Sequence, residues 1–384
     1  MLGALALAVA LGGLHAFSVI LAPLERQVGA DRASVSLVYA LAIVSLTAGV
    51  LASDWLLRRL SPALAAITVA AVAGCGLGLA ASASTLWLLL VGFGVMFGGA
   101  NGVGYSLFLR QASGAITAGT GTAIGIVTAG YAVGAMLFSW TLIAYQEASS
   151  ASSALLWMAA GVAAAGGLGF VAFGRSEPGE PPSGHFVDPS SATARASLTL
   201  DLWLVYLLGA TGGLMAIAHA AGMVVALGGS GALAALGASA LAVGNVAGSL
   251  AGGRLADRFP PGKCLAGTTA LGGLASLALA GSASPMVAVG GLVIAGFAYG
   301  ALIALVPAVI ARLASPATRM RIFGRVFTAW GAAGIAGPWI AGWAYDTTGN
   351  YPMALLLAAA LSGLGAILAM WRLPLACCDQ VDTG

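Results

Sequence analysis

Apolar stretches of 18 or more residues recur from one end of this 384-residue chain to the other, with only short breaks between them. Each is long enough to cross a hydrocarbon core of about 30 Å as an α-helix. In lipid every backbone N–H and C=O must be satisfied within the protein, which leaves helices or a closed barrel. A barrel is written as roughly ten-residue segments that alternate apolar and polar residues. Here the runs are continuous, so the chain reads as helical. Only 7% of it is Asp, Glu, Lys or Arg, against about 25% in a soluble domain. The solvent of this protein is lipid.

Breaks at Pro, Gly, Ser and charge give about twelve spans. They fall at 2–24, 33–57, 62–82, 86–110, 119–145 and 152–174, and then at 199–228, 232–256, 262–282, 286–312, 321–346 and 351–373. The N-terminal run "MLGALALAVALGGLHAF" lacks the basic start and the cleavage site of a signal peptide and reads as the first span. The long polar stretch "GRSEPGEPPSGHFVDPSSATARAS" reads as a linker, 175–198, between an N-terminal bundle, 1–174, and a C-terminal bundle with a short tail, 199–384.

The two sides of that linker are alike. Arg110 in "LRQASG" matches Arg312 in "ARLASP" at an offset of 202, and Tyr145 in "IAYQ" matches Tyr345 in "WAYD" at 200. "ALLW" at 154 matches "ALLL" at 354, and Asp54 matches Asp257 at 203. Four matches at nearly constant offset make the chain two parallel copies of a six-helix unit: an all-α polytopic membrane protein of two pseudo-symmetric bundles. The offset also predicts that the first span opens at or before Met1, the partner of the region around Thr199 and Asp201.

Basic residues set the orientation. Thirteen of the fifteen fall on the side of the loops after spans 2, 4, 6, 8, 10 and 12, and only Arg26 and Arg32 fall opposite. Both termini and the linker are therefore expected in the cytosol of a multi-pass protein of the cell (inner) membrane. Spread over loops, these charges make no nucleic-acid face. The four cysteines show no metal spacing, and Cys377 with Cys378 reads as part of a plain tail.

The packet "GGRLADRFPPGK" (252–263) concentrates charge in a chain that has little. Positive-inside topology explains Arg254, Arg258 and Lys263 but not the acid among them. A carboxylate at a cytosolic helix end accepts hydrogen bonds from the N-terminus of a neighbouring helix and from a nearby guanidinium. Asp257 with Arg312, and Asp54 with Arg110, are the expected pairs of a conformational latch, with Arg258 beside them. Gly253, Leu255, Ala256, Asp257, Arg258, Gly262 and Lys263, together with the two repeats and the middle linker, resemble the major facilitator superfamily of secondary transporters. In the first half the same motif is eroded: Asp54, Arg58 and Arg59 remain, and Trp55 stands where an Arg is expected. A finer resemblance, to the monocarboxylate-porter and oxalate/formate-antiporter branch, rests on 13–41 and 324–357. Its most specific part is the Gly-Pro-x-x-Ala-Gly-x-x-Tyr-Asp-x-Thr-Gly-x-Tyr run from Gly337 to Tyr351. That branch implies small organic anions as substrates.

Relatives that carry carboxylates usually place a Lys or Arg near mid-membrane in spans 1, 8 or 11; here span 1 has none, and Arg254, Arg321 and Arg325 lie near span ends. The polar residues left at mid-membrane depth are the candidate substrate-binding set: His15, Asn101, Tyr105, His219, Asn245, Tyr299 and Trp330, with Tyr39, Thr128, Tyr131 and Thr328 behind them. The resemblance implies that spans 1, 4, 7 and 10 line the cavity. Each Asn or Tyr can equally be interhelical glue; an ionisable histidine in lipid more often faces water. By the offset of 200, His15 corresponds to Met215 and His219 to Val19, so the two histidines fall one turn apart on equivalent helices.

No Gly-x-x-x-x-Gly-Lys-Ser/Thr loop is present, which excludes an ATP-driven pump of that kind. Neither paired mid-span carboxylates nor His-Glu-x-x-His is present, so an intramembrane enzyme is disfavoured and no cofactor is expected. The reading is a monomeric transporter, facilitative or secondary active, of a small organic solute, with a monocarboxylate first and a proton or counter-anion open as the coupled species. A neutral or drug-like solute, or a non-transporting sensor or scaffold on the same fold, stays open beside it.

Overall fold

The computed structural model describes residues 1–115, 119–146, 151–174 and 192–373. Arg175, most of the 175–198 linker, and the tail with Cys377 and Cys378 lie outside the described residues.

The described residues are helical throughout, in the order α1 (Leu2–Gly12), α2 (Phe17–Val28), α3 (Arg32–Leu57), α4 (Pro62–Ala81), α5 (Leu86–Leu89), α6 (Gly98–Ala115), α7 (Thr120–Gln146), α8 (Ala151–Gly174), α9 (Ala192–Ala226), α10 (Gly231–Arg258), α11 (Pro261–Ala280), α12 (Pro285–Leu313), α13 (Pro316–Thr348) and α14 (Pro352–Arg372). A 3₁₀ turn, Gly13–Ala16, joins α1 to α2, and a π-helical stretch, Leu90–Phe97, joins α5 to α6. Starts follow local chemistry. The hydroxyls of Ser61, Ser230 and Ser284 accept from the backbone N–H three residues on. Pro62, Pro285, Pro316 and Pro352 each sit in the first turn, where a missing N–H costs nothing. α13 ends at Gly349, which takes the left-handed conformation (φ 71°) and returns its N–H to the carbonyl of Tyr345.

Among the described residues ten spans are long and apolar enough to cross a membrane, and the α1/α2 pair, bent by 59°, makes eleven. The sequence predicts about twelve; α13 is a further long helix, but with Arg319, Arg321 and Arg325 near its start it is not among those apolar enough to cross. Large apolar side chains stand outward where a soluble protein would carry charge, among them Trp87, Trp157, Leu168 and Trp371.

The chain divides into two compact units, Met1–Ala115 with Gly130–Gly184 and Ile116–Ala129 with His185–Gly384. α7 therefore begins in the second unit and continues in the first. In the first unit α4 packs on α8, α3 on α6, and α1 on α6 and α8. In the second, α10 packs on α12, α11 on α14, and α9 on α12, α13 and α14. The internal repeat is visible in these seams. Gly98 lies against the carbonyl of Ala42, and Gly300 against that of Asn245, the positions offset by 202 and 203. A Cβ at either glycine would overlap a carbonyl, so backbone meets backbone at the same place in both units.

Candidate functional site

In the first unit the polar candidates gather at the break in the first span. The chain leaves α1 in a 3₁₀ turn, and His15 projects from that turn. A change of helical register disturbs the i→i−4 ladder, and a buried carbonyl then needs another donor. Asn101, fully buried in α6, supplies one: its side-chain amide donates to the carbonyl of Leu11 at 2.7 Å. Its amide oxygen accepts from the hydroxyl of Tyr131 in α7 at 3.0 Å. Gly12 makes this possible, because its missing side chain lets the backbone of α1 rest on the carbonyl of Tyr131.

The half-buried imidazole of His15 lies edge-on to two tyrosines, Tyr131 at 5.5 Å between ring centroids and Tyr39 at 6.2 Å. Its Nδ1 is 2.8 Å from the Tyr39 hydroxyl. Tyr105 packs edge-on against Tyr131 at 5.4 Å, and Phe17 stacks on Tyr39 and tilts onto Phe93 from the π-helical stretch. So His15, Asn101 and Tyr105 come together, and Tyr39 and Tyr131 complete the group. The result is an aromatic-walled polar site holding one imidazole, one amide and three phenols, with no Asp, Glu, Lys or Arg among them.

The second unit distributes its candidates differently. Trp330 in α13 donates its indole N–H to the Tyr299 hydroxyl at 2.8 Å, and both side chains are buried. This pair joins the spans equivalent to those joined by Tyr131 and Asn101. Tyr299 rests on Gly213 of α9. His219 lies six residues further along α9, about 9 Å by helical rise. Its Nε2–H donates to the carbonyl of Pro338 at 3.0 Å, since a carbonyl can only accept. That leaves Nδ1 as the acceptor for the Tyr351 hydroxyl at 3.4 Å. Tyr351 in turn stacks on Tyr345 at 4.8 Å. Burial, then the neighbouring Tyr345 and Asp346, push the Tyr351 phenol above its ordinary value, so it stays a neutral donor. Both ring nitrogens of His219 are thus engaged by the protein. Asn245 lies in the α10/α12 seam, its side-chain oxygen beside Gly300.

The latch residues sit at helix ends. Asp257, in the last turn of α10, accepts from the backbone N–H groups of Gly121 and Thr122, both at 2.7 Å, and from the Thr122 hydroxyl at 2.6 Å. It thereby satisfies first-turn donors of α7 that have no partner within their own helix. Arg312 turns to carbonyls, those of Ala256 and Phe259, flanking the acid on which the sequence placed it. Arg110 does likewise in the first unit, donating to the Leu57 carbonyl at 2.7 Å, and Asp54 takes Arg58 at 2.8 Å. In both units an arginine caps the end of a helix, where the dipole favours positive charge. Arg258 is exposed at the end of α10. The acid Asp201, buried in α9, takes Arg372 at 3.3 Å.

Two helical units related by an internal repeat, with an interrupted first span and an acid at a helix start, make up a fold shared with solved transporters of the major facilitator superfamily. The sequence model described as Major Facilitator Superfamily matches residues 202–376, the larger part of the second half. The outward-conformation transporter FucP is 18% identical, with a TM-score of 0.68 over 96% of this chain and 98% of that one. The proton:xylose symporter XylE, bound to 6-bromo-6-deoxy-D-glucose, is 13% identical with a TM-score of 0.73, covering 96% and 95%. The human organic anion transporter MFSD10 is 16% identical with a TM-score of 0.69, covering 96% and 98%. A comparison with curated protein sequences gives no match.

Proposed function

We propose that this chain is a secondary transporter of the major facilitator superfamily, moving a small organic solute by alternating access, with its principal recognition site at the break in the first span. The observation that carries the reading is the His15, Tyr39, Asn101, Tyr131 cluster. Discontinuous spans near the middle of a membrane are where transporters of this kind hold substrate, and the cluster concentrates polar groups in an otherwise apolar bundle. The imidazole is its one group able to become a cation. A monocarboxylate or related organic anion fits that group, with the Tyr39 hydroxyl beside it as a hydrogen-bond donor, and agrees with the resemblance of the Gly337–Tyr351 run to the monocarboxylate and oxalate/formate branch. MFSD10, an organic anion transporter of the same fold, lends the same direction.

A neutral polyol is the second reading. The absence of Asp, Glu, Lys and Arg from the described cluster favours it, and FucP and XylE, named as fucose and xylose proton symporters, share the fold. A panel of radiolabelled monocarboxylates and monosaccharides offered to proteoliposomes, with and without an inward proton gradient, separates the two. Saturable carboxylate uptake supports the first reading and saturable sugar uptake the second. No uptake of any solute above protein-free vesicles would leave a non-transporting membrane protein on a transporter fold.

A further inference from the structure

The second unit encloses a small cavity among α9, α11, α12 and α14 that the Tyr299–Trp330 pair does not fill. Gly209, Gly212 and Gly213 form one wall, and Ser276, Tyr299 and Ser362 stand on the others. Ser362 is 1% exposed, and its wholly buried hydroxyl oxygen has no hydrogen-bond partner among the described residues. Buried polar atoms are paired as a rule, and where no protein group reaches them the partner is water. Ser276, 4% exposed, donates to the carbonyl of Gly272 at 2.9 Å. That bond uses its only proton and leaves oxygen lone pairs to accept.

The two hydroxyls converge on one point. A Cβ at Gly212 would lie 3.3 Å from the Ser276 oxygen and 3.8 Å from the Ser362 oxygen. The side chain that Gly212 lacks would therefore stand in the gap between them, and the gap is the size of one small molecule. We propose that the cavity binds one water molecule, which donates to Ser276 and exchanges a hydrogen bond with Ser362, bridging α11 and α14 across the glycine face of α9. Water matches the site in size and in character, since Ser276 needs a donor and Ser362 accommodates either. Among the described residues no carboxylate lines the cavity, so a metal ion would find no charge partner in that lining.

Hydroxyl-radical footprinting of the purified full chain tests this, because radicals generated from a bound water label side chains that bulk solvent cannot reach. Tyr299 and Leu302, both buried in the cavity wall, are expected to be labelled in the native protein. Gly212→Ala, which occupies the water's place, should lower that labelling at least fivefold while exposed Tyr345 is labelled as before. Ser362→Ala introduces no clash and carries the test alone if Gly212→Ala fails to accumulate. With a water present it removes a bonded partner and lowers the melting temperature by about 2–4 °C; in a dry cavity it deletes an orphaned hydroxyl and raises it. Labelling that is absent or indifferent to Gly212→Ala, or a raised melting temperature for Ser362→Ala, overturns the proposal.

Discussion

Replacing Asp257 with Asn should loosen the start of α7 by an amount the structure lets one work out. The carboxylate accepts three hydrogen bonds, two from backbone N–H groups at 2.7 Å and one from the Thr122 hydroxyl at 2.6 Å. Asparagine keeps one oxygen, enough for Gly121, but turns an NH₂ donor toward the N–H of Thr122. The charge-assisted bond from the Thr122 N–H is lost, about 1.5–3 kcal/mol, the Thr122 hydroxyl must turn round to accept from the new NH₂, and the favourable charge at the helix N-terminus goes too, about 0.3–1 kcal/mol. At 1.4 kcal/mol per tenfold, a loss near 2 kcal/mol means roughly thirtyfold faster amide exchange at Thr122. Asp257→Ala releases Gly121 as well. Hydrogen exchange read on peptides covering 119–129, in detergent or nanodiscs, measures this directly. Unchanged exchange in Asp257→Ala would refute the claim that the carboxylate holds these amides. Under the transport proposal the same variant lowers uptake rate more than apparent affinity, because a span end lies about 15 Å from a mid-membrane site.

Gly300→Val should prevent accumulation of folded protein, since its side chain would enter the carbonyl of Asn245; Gly98→Val should do the same through Ala42, and fluorescence-detected gel filtration reads both. Tyr351→Phe removes the donor to His219 and should cost about 1 kcal/mol, seen as a lower melting temperature. The Tyr351 phenol is raised in the folded chain, so the native state holds its proton longer than the unfolded state does. Stability from this group is therefore complete below about pH 10 and falls as pH rises past it, and Tyr351→Phe should flatten that alkaline slope. Cysteines placed at Ser183 and Asp382 should react with an impermeant thiol reagent only after the cells are opened, as the basic asymmetry requires; labelling of intact cells would reverse the topology.

The spans were legible because their signals are local. Proline after serine marks the starts of α4, α12 and α13, and the expected ends at 57 and 174 fall on the observed ones. The break at Gly13–Ala16 was not read from the sequence, because the Gly-Gly pair in "LGGLHAF" looks like the many other glycines inside unbroken spans. The break is accompanied by a contact 90 residues away in sequence, Asn101 on the carbonyl of Leu11. The π-helical stretch at Leu90–Phe97 likewise has no mark in "LVGFGVMF"; it accompanies the packing of Phe93 on Phe17 and Phe97. For the latch, an acid among bases pointed to a helix start, and Asp257 meets one. The targets of Arg110 and Arg312 are main-chain carbonyls, which no side-chain pattern announces. The histidines show the limit most clearly. The repeat places them one turn apart on equivalent helices, yet one sits at a break among tyrosines and the other is engaged by Pro338 and Tyr351.

That difference supplies the measurement closest to the central proposal, that solute is recognised in the first bundle at His15. Initial uptake rates of the transported solute should be compared in proteoliposomes carrying the unaltered chain, His15→Gln or His219→Gln, at matched protein content. The account predicts at least a tenfold loss for His15→Gln, and for His219→Gln a lower melting temperature with uptake largely kept. Full uptake in His15→Gln, with the loss appearing only in His219→Gln, would contradict it and move the site to the second bundle.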